Sequence, residues 1–546
     1  MITATELHRG GRVAADHDPA RRYDVVIIGS GPGGAAAAAG LVESGARVLL
    51  LERGGWVART GGDDGTGAVA MLSSAYRSDA AYIADTDAGK RGVGAFHCVG
   101  GQSVFYGAVA FRFRERDFLG DDDVGARPRM RWPFVYDAIE PYYARAEVLL
   151  GVSGDAGTDP TEPWRSGPYP GRSPALSPTG EALHAAARSM GLHPFRPPLA
   201  INRVAGKRAV CVACGSCDGY ACENEAKGDA AGIVASLLGH GLDLRTGCVA
   251  VRLRADRGRV TAIECLDLAS ERRFTVRSDT VVLAAGALAT PQLLLTSGLH
   301  RSNPGGEVVG RYLLRHCNAV VCGFFPHPPG GGRMPYKEIA VHDFYFSHPR
   351  HRGLGRVGNI QQVGLPAPLV RAQAPRPLRP LASAVLPHLM GLMVMAEDQA
   401  VRENGVSLDS RRTDAAGLPG LRIRHRYAAR DLRARRILIA EAKRLLCSAG
   451  AIVCVTHPID TFSHALGTVR MGRDRATSAL DADGWFRGIT NLFVADGSAL
   501  PTSAAVNPSL TIAAHALRVA DRIARGSPTP GRTIHVETTE AANVRS

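Results

Sequence analysis

Apolar positions near the start of the chain predict a β-strand, a helix and a second strand in succession. Tyr23–Ile28 (YDVVII) is a short, mostly apolar run, which is typical of a strand buried on both faces. The alanine-rich residues 35–44 predict a helix, and residues 47–51 (RVLLL) predict the next strand. Near the other end of the chain, residues 489–495 (ITNLFVA) have the same apolar character and predict another buried strand.

The middle of the chain contains further strand patterns. Residues 246–253 and 259–265 predict a hairpin, and residues 281–285 predict a buried strand that returns to the sheet of the first strand. Residues 319–325 and 339–346 predict strands of an antiparallel sheet. The chain is therefore expected to contain one sheet buried on both faces and a separate antiparallel sheet.

The composition is typical of a large globular protein. The chain has 546 residues, of which 45% are hydrophobic and 21% charged, so a large core can form and global disorder is excluded. No run approaches the ~20 apolar residues that cross a bilayer, and the polar first 22 residues lack the apolar core of a signal peptide. We therefore expect a cytoplasmic protein without a membrane span, with its 11 cysteines mostly reduced.

The net charge is strongly positive, with 65 basic against 51 acidic residues and a formal charge of +14. Such a field attracts nucleic acid, acidic membranes or anionic substrates. The arginines are scattered, however, and no basic stripe is interleaved with aromatic residues. The charge therefore predicts solvated faces of a basic enzyme and no nucleic-acid partner.

A glycine-rich loop, GSGPGG at residues 29–34, joins the first strand to the helix. Gly29 permits a tight turn, Gly31 lets the backbone approach a pyrophosphate, and Gly34 lets the helix pack closely on the sheet. The N–H groups of the helix N-terminus can bind the phosphates, and Glu52, at the end of the second strand, can accept hydrogen bonds from ribose hydroxyls. This arrangement predicts a dinucleotide site without distinguishing FAD from NAD.

Four separated motifs resemble those of the glucose-methanol-choline (GMC) family of FAD-dependent oxidoreductases, within a likeness that spans roughly residues 23–524. The first is the glycine-rich loop, and the second is CVGGQSVFYG at residues 98–107, which resembles the family's GGxS loop under the flavin ring. The third is VVLAAGALATPQLLLTSG at residues 281–298, where His300 replaces the last glycine of the family signature. The fourth is HALGTVRMG at residues 464–472, which is similar to the family's HxxGTxxMG segment.

The resemblance implies an FAD cofactor, bound by residues from both ends of the chain. Phe105 stands where some family members carry the histidine that attaches FAD covalently, so we expect FAD to be bound non-covalently. Backbone atoms near Val249 are expected to hold the adenine. The implied cofactor-binding residues are Gly29, Gly31, Gly33, Gly34, Glu52, Gly100, Gly101, Ser103, Tyr106, Val249, Asp496, Gly497, Asn507 and Pro508.

The resemblance also implies the catalytic pair, His464 and Asn507. Alcohol oxidation removes a proton from oxygen and a hydride from carbon, and the flavin N5 accepts the hydride. A histidine suits the proton because its unperturbed pKa lies near working pH, so His464 is the expected base. The amide of Asn507 can donate to the substrate oxygen without competing for that proton.

The fold class implied is α/β (α+β overall), with a discontinuous Rossmann-like FAD-binding domain and an antiparallel-sheet substrate-binding domain. The first domain is expected to comprise residues 20–125, 200–305 and 455–525. The second is expected to comprise residues 126–199 and 306–454. Residues 1–19 and 526–546 are polar and are expected to be flexible tails.

Four cysteines at C-x2-C-x2-C-x4-C spacing could converge on a metal ion or an iron–sulfur cluster. Some GMC dehydrogenases carry such a cluster, but no proline follows the last cysteine here, and the segment after it resembles a structural loop. Disulfides or plain thiols are therefore favoured over iron–sulfur, and iron–sulfur over zinc. The four cysteines are Cys211, Cys214, Cys217 and Cys222.

The His–Asn pair favours a secondary alcohol, or a sugar or glycoside hydroxyl, over choline or methanol as the substrate. The electron acceptor is O2 or an unknown carrier, which the sequence does not distinguish. Four alternatives stay open: a lyase on the same fold in which FAD is structural, an iron–sulfur-containing dehydrogenase subunit, an NAD(P)-dependent reductase, and a non-catalytic subunit.

Overall fold

The computed structural model describes residues 23–59, 77–120, 130–206, 208–215, 217–329, 337–365, 377, 379 and 384–526. The predicted tail of residues 1–19 lies outside this part of the chain, and so does the predicted tail of residues 526–546 except for Gly526. The strands are β1 Tyr23–Ile28, β2 Val48–Leu51, β3 Arg77–Thr86, β4 Gly89–Phe96, β5 Pro194–Phe195, β6 Leu242–Arg245, β7 Cys248–Asp256, β8 Arg259–Asp267, β9 Arg273–Val276, β10 Ser278–Leu283, β11 Cys317–Phe324, β12 Ala340–Val341, β13 Asn359–Val363, β14 Leu389–Ala396, β15 Gly405–Thr413, β16 Pro419–Arg424, β17 Val453–Pro458 and β18 Leu492–Val494. The main α-helices are α1 Pro32–Glu43, α2 Glu140–Leu150, α3 Pro178–Ser189, α4 Ala230–Leu237, α5 Gly286–Thr296, α6 Ala429–Ser448 and α7 Ser509–Ala524.

A parallel sheet collects strands from widely separated parts of the chain. Its order is β18-β10-β1-β2-β6, and every neighbouring pair is parallel. The apolar runs that predicted buried strands are buried here, because helices cover the sheet. The last helix, α7, packs on α1 so closely that a Cβ atom on Gly40 would lie 2.8 Å from the Cβ of Ala520.

A second sheet of six strands is antiparallel throughout, in the order β17-β11-β14-β13-β12-β5. Helix α6 packs on one of its faces and closes a separate apolar core. Strand β12 is much shorter than the predicted strand over residues 339–346. The chain turns after Val341 because the buried ring of His342 bonds to Asp159, 2.9 Å away, and the N–H of Tyr345 bonds back to the His342 carbonyl.

Two smaller sheets complete the described structure. The predicted hairpin is β7–β8, which β9 extends to three strands, and β15-β16-β3-β4 form a four-stranded sheet. The α/β class with parallel and antiparallel sheets is confirmed. The division into two domains at the residue boundaries given above stays a prediction.

Candidate active site

The glycine-rich loop meets the start of α1 with one open side. A Cβ atom on Gly29 would lie 2.5 Å from the carbonyl oxygen of Ala284, and one on Gly33 or Gly34 would lie 1.9 Å from a carbonyl oxygen. A Cβ atom on Gly31, in contrast, would meet nothing within 4 Å. Three of these glycines therefore allow close packing of the backbone, whereas Gly31 borders open space.

A buried carboxylate ties this loop to the second glycine-rich segment. Glu52 accepts hydrogen bonds from the backbone N–H and the hydroxyl of Ser30, at 3.0 and 2.6 Å, and from the N–H of Gly54 at 2.8 Å. The Ser30 hydroxyl in turn accepts a bond from the N–H of Gly100. Burial raises the pKa of Glu52 above its usual value. A Cβ atom on Gly101 would lie 3.2 Å from the Cα of Gly31, so the two segments face each other.

The next residues of the second segment have protein partners. The Ser103 hydroxyl donates to the Gly100 carbonyl at 2.7 Å and accepts from the N–H of Ala230 at 3.0 Å, which joins the segment to the start of α4. The Tyr106 hydroxyl donates to the carbonyl of Gly228. These contacts hold residues 100–106 in place beside α1.

Val249 lies near the carboxyl end of the second strand. It is the second residue of β7, its side chain is buried in a small apolar cluster, and the preceding N–H, that of Cys248, donates to the Glu52 carbonyl at 3.0 Å. The backbone at Val249 is therefore close to Glu52, as expected for the far end of a dinucleotide.

The residues after β18 hold the histidine motif against the parallel sheet. Asp496 is buried, and its carboxylate accepts hydrogen bonds from the N–H of Gly286, the Thr290 hydroxyl, and the N–H and hydroxyl of Ser498. The carbonyl of Gly497 accepts a bond from the N–H of Gly467 at 3.0 Å. This bond aligns the segment that follows His464 with the residues that follow β18.

His464 lies beside a second histidine that the motif does not contain. The Nδ1 atoms of His464 and His316 are 3.1 Å apart, and the two rings meet edge to face. His464 is half-buried, whereas His316 is 1% exposed. Burial, together with the nearby His316 and Lys337, lowers the pKa of His464 to about 3. The imidazole of His464 is thus neutral at neutral pH and can accept a proton.

Asp398 fixes the backbone around His316. Its carboxylate accepts hydrogen bonds from the backbone N–H groups of Arg315 and His316, at 2.8 and 3.1 Å, and from the Ser503 hydroxyl at 2.8 Å. A further contact joins it to His425 at 3.3 Å. The hydrogen bonds to His425 and the proximity of His316 lower the pKa of Asp398 to about 2 despite its burial, so the carboxylate stays ionised.

Asn507 precedes α7 together with Pro508 and is oriented by the antiparallel sheet. The side-chain Nε2 of Gln361, on β13, donates to Oδ1 of Asn507 at 3.1 Å. This bond occupies the amide oxygen of Asn507, so its Nδ2 hydrogens remain as the donors for another partner. Pro508 is the residue before α7, which begins without a side-chain cap or an acidic residue in its first turn.

The residues present fit a flavin dinucleotide. Helix α1 also starts without a side-chain cap and without an acidic residue in its first turn, so its N-terminal N–H groups can bind a pyrophosphate. The open space beside Gly31 is where that phosphate would approach. Glu52, buried at the end of β2, retains acceptor capacity for a ribose hydroxyl. These features of residues 29–54 fit the pyrophosphate and the ribose of a dinucleotide.

The four clustered cysteines do not converge. Cys217 is buried, Cys211 and Cys222 are half-buried, and Cys214 is exposed. Among the described residues, which include all four, no group of three or more metal-binding side chains is placed to hold a metal ion. Polar side chains hold the segment instead, as Lys227 donates to the carbonyls of Tyr106, Cys217 and Tyr220.

Several residues of this site carry no signal in the sequence. His316, Asp398 and Gln361 come from parts of the chain without a motif, and long-range contacts place His316 beside His464 and Gln361 beside Asn507. Ser30 could have been found, since it stands inside the glycine-rich loop.

No helix among the described residues is long and apolar enough to cross a membrane.

Comparison with known proteins identifies the class of enzyme. A family model described as GMC oxidoreductase matches the chain in two parts, residues 134–318 and 400–516. Paromamine 6'-oxidase from Streptomyces fradiae is 32% identical, over 97% of this chain and 96% of that protein. The chain therefore belongs to the GMC oxidoreductase family. It is an oxidoreductase that acts on CH–OH groups, and the predicted family and enzyme class are confirmed.

Further similarities agree with this assignment. The 6'''-hydroxyparomomycin C oxidase from Streptomyces lividus is also 32% identical, over 95% of this chain and 94% of that protein. Among solved structures, pyridoxine 4-oxidase from Mesorbium loti superposes with a TM-score of 0.62, covering 92% of this chain and 99% of that chain at 20% identity. This last similarity shows a shared fold.

Proposed function

We propose that the chain oxidises a hydroxyl group of a sugar or glycoside to a carbonyl, with FAD bound non-covalently and His464 as the base. The observation that carries the proposal is the position of the His464 motif, whose Gly467 N–H bonds to the Gly497 carbonyl next to Asp496, which in turn binds the N–H of Gly286 after β10. Phe105, at the position of the covalent histidine of some relatives, is buried and packs against Phe96. A phenyl ring offers no nucleophile, which supports non-covalent binding.

The cofactor residues have separate tasks in this proposal. The N-terminus of α1 binds the pyrophosphate at Gly31, and Glu52 accepts hydrogen bonds from the adenosine ribose. Gly100 and Gly101 would offer the flavin ring a backbone without side chains. The N-terminus of α7, after Asn507 and Pro508, presents the positive end of a helix dipole to the flavin. When bound, FAD supplies the acceptor for the hydride that leaves the alcohol carbon.

The proton chemistry belongs to the chain's own side chains. A ring nitrogen of His464 accepts the hydroxyl proton of the substrate. The Nδ2 hydrogens of Asn507 donate to the same substrate oxygen, because Gln361 already occupies the amide oxygen. Together the two residues hold the oxygen and remove its proton.

The names of the relatives support the proposed substrate class. Two proteins that are 32% identical across nearly the whole chain are named as oxidases of paromamine and of 6'''-hydroxyparomomycin C. A third, from Mycolicibacterium austroafricanum, is 28% identical and is named as a dehydrogenase of 2-methyl-1,2-propanediol. These names support a polyhydroxylated substrate, and they leave O2 and a separate carrier as alternative electron acceptors.

An anaerobic reduction screen tests the proposal. Purified holoprotein is mixed with paromamine, simple sugars, glycosides, sterols and small alcohols, and the flavin absorbance band is followed by stopped flow. We expect bleaching by a sugar or glycoside, and we expect His464→Ala to retain FAD while the reduction slows by roughly 10²–10⁴-fold, the usual contribution of a general base.

Three results would contradict the proposal. A purified protein without a yellow chromophore would favour an NAD(P)-dependent reductase. Flavin that no alcohol bleaches would favour a lyase or a non-catalytic subunit. An unchanged reduction rate in His464→Ala would remove His464 from the role of base.

A further inference from the structure

A single backbone bridge lies next to the contact between His464 and His316. Leu314 and Leu466 form an isolated antiparallel bridge, in which each backbone N–H bonds to the other's carbonyl, at 3.0 and 2.9 Å. His316 follows Leu314 by two residues and His464 precedes Leu466 by two, so the bridge brings the two histidines close together, although neither of them belongs to a strand.

The hydrogen bonds of His316 determine which of its nitrogens carries the hydrogen. Its Nε2 lies 2.9 Å from the carbonyl oxygen of Ser503. A carbonyl oxygen can only accept, so Nε2 is the N–H donor of this pair. In a neutral imidazole the other nitrogen, Nδ1, then has a lone pair and no hydrogen. Burial lowers the pKa of His316 and keeps the ring neutral at neutral pH.

The contact with His316 likewise determines which nitrogen of His464 carries the hydrogen. The 3.1 Å contact joins Nδ1 of His316, which can only accept, to Nδ1 of His464. The hydrogen of this bond must therefore belong to His464 Nδ1. A neutral His464 then has its lone pair on Nε2, which is the nitrogen left to take a proton from a substrate.

The backbone of His316 is held in an uncommon conformation. Its φ angle is +60°, in the left-handed region that non-glycine residues rarely adopt. Asp398 stabilises this turn by accepting hydrogen bonds from the N–H groups of Arg315 and His316, and it also binds the Ser503 hydroxyl. Strained residues that surrounding contacts over-determine are concentrated at functional sites. The direction in which the His316 ring points is thus set by several independent contacts.

We propose that His316 is a positioning residue that fixes the tautomer of His464, so that Nδ1 carries the hydrogen and Nε2 is the free base. The chain of contacts runs from the Ser503 carbonyl through both His316 nitrogens to His464 Nδ1. The inference rests on the proposed role of His464 as the base. When Nε2 accepts the hydroxyl proton, Nδ1 keeps its hydrogen bond to His316, so the imidazolium ring does not turn.

Nitrogen NMR of the wild-type holoprotein tests the tautomer directly. Protein labelled with ¹⁵N at histidine gives distinct shifts for protonated and unprotonated ring nitrogens, and the His464 signals are assigned by their loss in His464→Gln. We expect a protonated Nδ1 and an unprotonated Nε2 at pH 7 to 8. A protonated Nε2 would overturn the proposal, and this measurement requires no variant of His316.

The kinetics of three holoenzyme variants test whether His316 affects the rate of flavin reduction. His316→Phe removes the acceptor and keeps the ring shape, so flavin reduction should slow by about 10²-fold, within the range that lost tautomer or ligand orientation produces, with substrate affinity changed far less. His316→Asn places an amide oxygen close to the position of Nδ1, and it should recover most of that loss. The matched control is His348→Phe, another 1% exposed histidine, stacked on Phe344 and bonded to Glu441.

The outcomes distinguish a failure of the role proposed for His316 from a failure of the proposed function. Slow reduction in His316→Phe, with recovery in His316→Asn and a normal rate in His348→Phe, supports the inference. An unchanged rate in His316→Phe, or equal losses in the Phe and Asn variants, overturns it while His464→Ala still tests the base. If His464→Ala were as fast as wild type, the proposed function itself would be wrong.

Discussion

At the scale of single residues, the glycines of the nucleotide loop differ in the space that the protein leaves for a side chain. Gly33 and Gly34 have no room for a side chain, since a Cβ atom on either would lie 1.9 Å from a carbonyl oxygen. Gly31 has room in the protein itself, and its φ of −62° is accessible to any residue. The fold therefore requires glycine at positions 33 and 34 but not at position 31, where we propose that the approach of a ligand requires it.

This difference predicts separate effects of two substitutions. Gly31→Val should leave the stability of the apoprotein within about 1 kcal/mol of wild type, because only a helix N-cap glycine is lost. It should nevertheless abolish FAD retention, since the side chain occupies the phosphate approach. Gly33→Ala should instead destabilise the apoprotein. The measurements are the ratio of flavin to protein after gel filtration and the Tm of the apoprotein.

The control for the Gly31 variant is Gly167→Val, an exposed glycine whose Cβ would also meet nothing within 4 Å. It should retain a full complement of flavin. Normal flavin content in Gly31→Val would mean that the phosphate does not approach at this position.

At the scale of elements, the segment that carries the clustered cysteines depends on a buried lysine. Lys227 is 2% exposed, and its ammonium donates to the carbonyls of Tyr106, Cys217 and Tyr220 at 3.0, 3.0 and 2.7 Å. Burial lowers the pKa of Lys227. One side chain thus joins the cysteine segment to the loop that follows Gly100 and Gly101.

Removing this ammonium should loosen the segment. Lys227→Met keeps the length of the side chain but leaves three carbonyls without their donor, and each carbonyl that stays unsatisfied costs about 1–3 kcal/mol of folding stability. Buried Cys217 should then react faster with an alkylating reagent, as measured by mass spectrometry of the modified site. Lys90→Met, at an exposed position, is the matched control. Equal alkylation of Cys217 in both variants would show that Lys227 does not hold the segment.

The sequence best predicts the elements whose apolar pattern itself indicates which residues are buried. The run YDVVII is β1, and the predicted hairpin is β7–β8, because apolar periodicity reports burial directly. The predicted strand over residues 339–346 shrinks to Ala340–Val341, because His342 bonds to a residue far away in the chain. His316 was not predicted for the same reason: its contact with His464 joins two segments that are far apart in the chain, which no local pattern encodes.

At the scale of the whole molecule, the interior holds many neutral histidines. Burial is the first cause of a lowered pKa at each of them, and ion pairs compensate it only in part. Those that are at most 1% exposed are His316, His342, His348, His425 and His515. Since a folded-state pKa below the unfolded value of about 6.5 makes the unfolded state the stronger proton acceptor, each of them favours unfolding in acid.

His515 isolates this effect because it lies outside the proposed catalytic contacts. It is fully buried inside α7, with Nε2 3.3 Å from the Val494 carbonyl, and burial lowers its pKa to about 3. Its contribution to stability is complete above about pH 6.5 and is lost as the pH falls toward 3. His515→Gln keeps a donor for the carbonyl and removes the titration.

The stability of His515→Gln relative to wild type should therefore rise as the pH falls from 6.5 to 4.5, with a slope approaching about 1.4 kcal/mol per pH unit. Calorimetric Tm values of the two proteins across this range measure the difference. Several acids with raised pKa, such as Asp431 at about 7, act in the opposite direction, but they are common to both proteins and cancel in the comparison. His240→Gln, at an exposed position, should follow wild type at every pH. A constant difference between His515→Gln and wild type would mean that the buried imidazole takes up its proton without unfolding the chain.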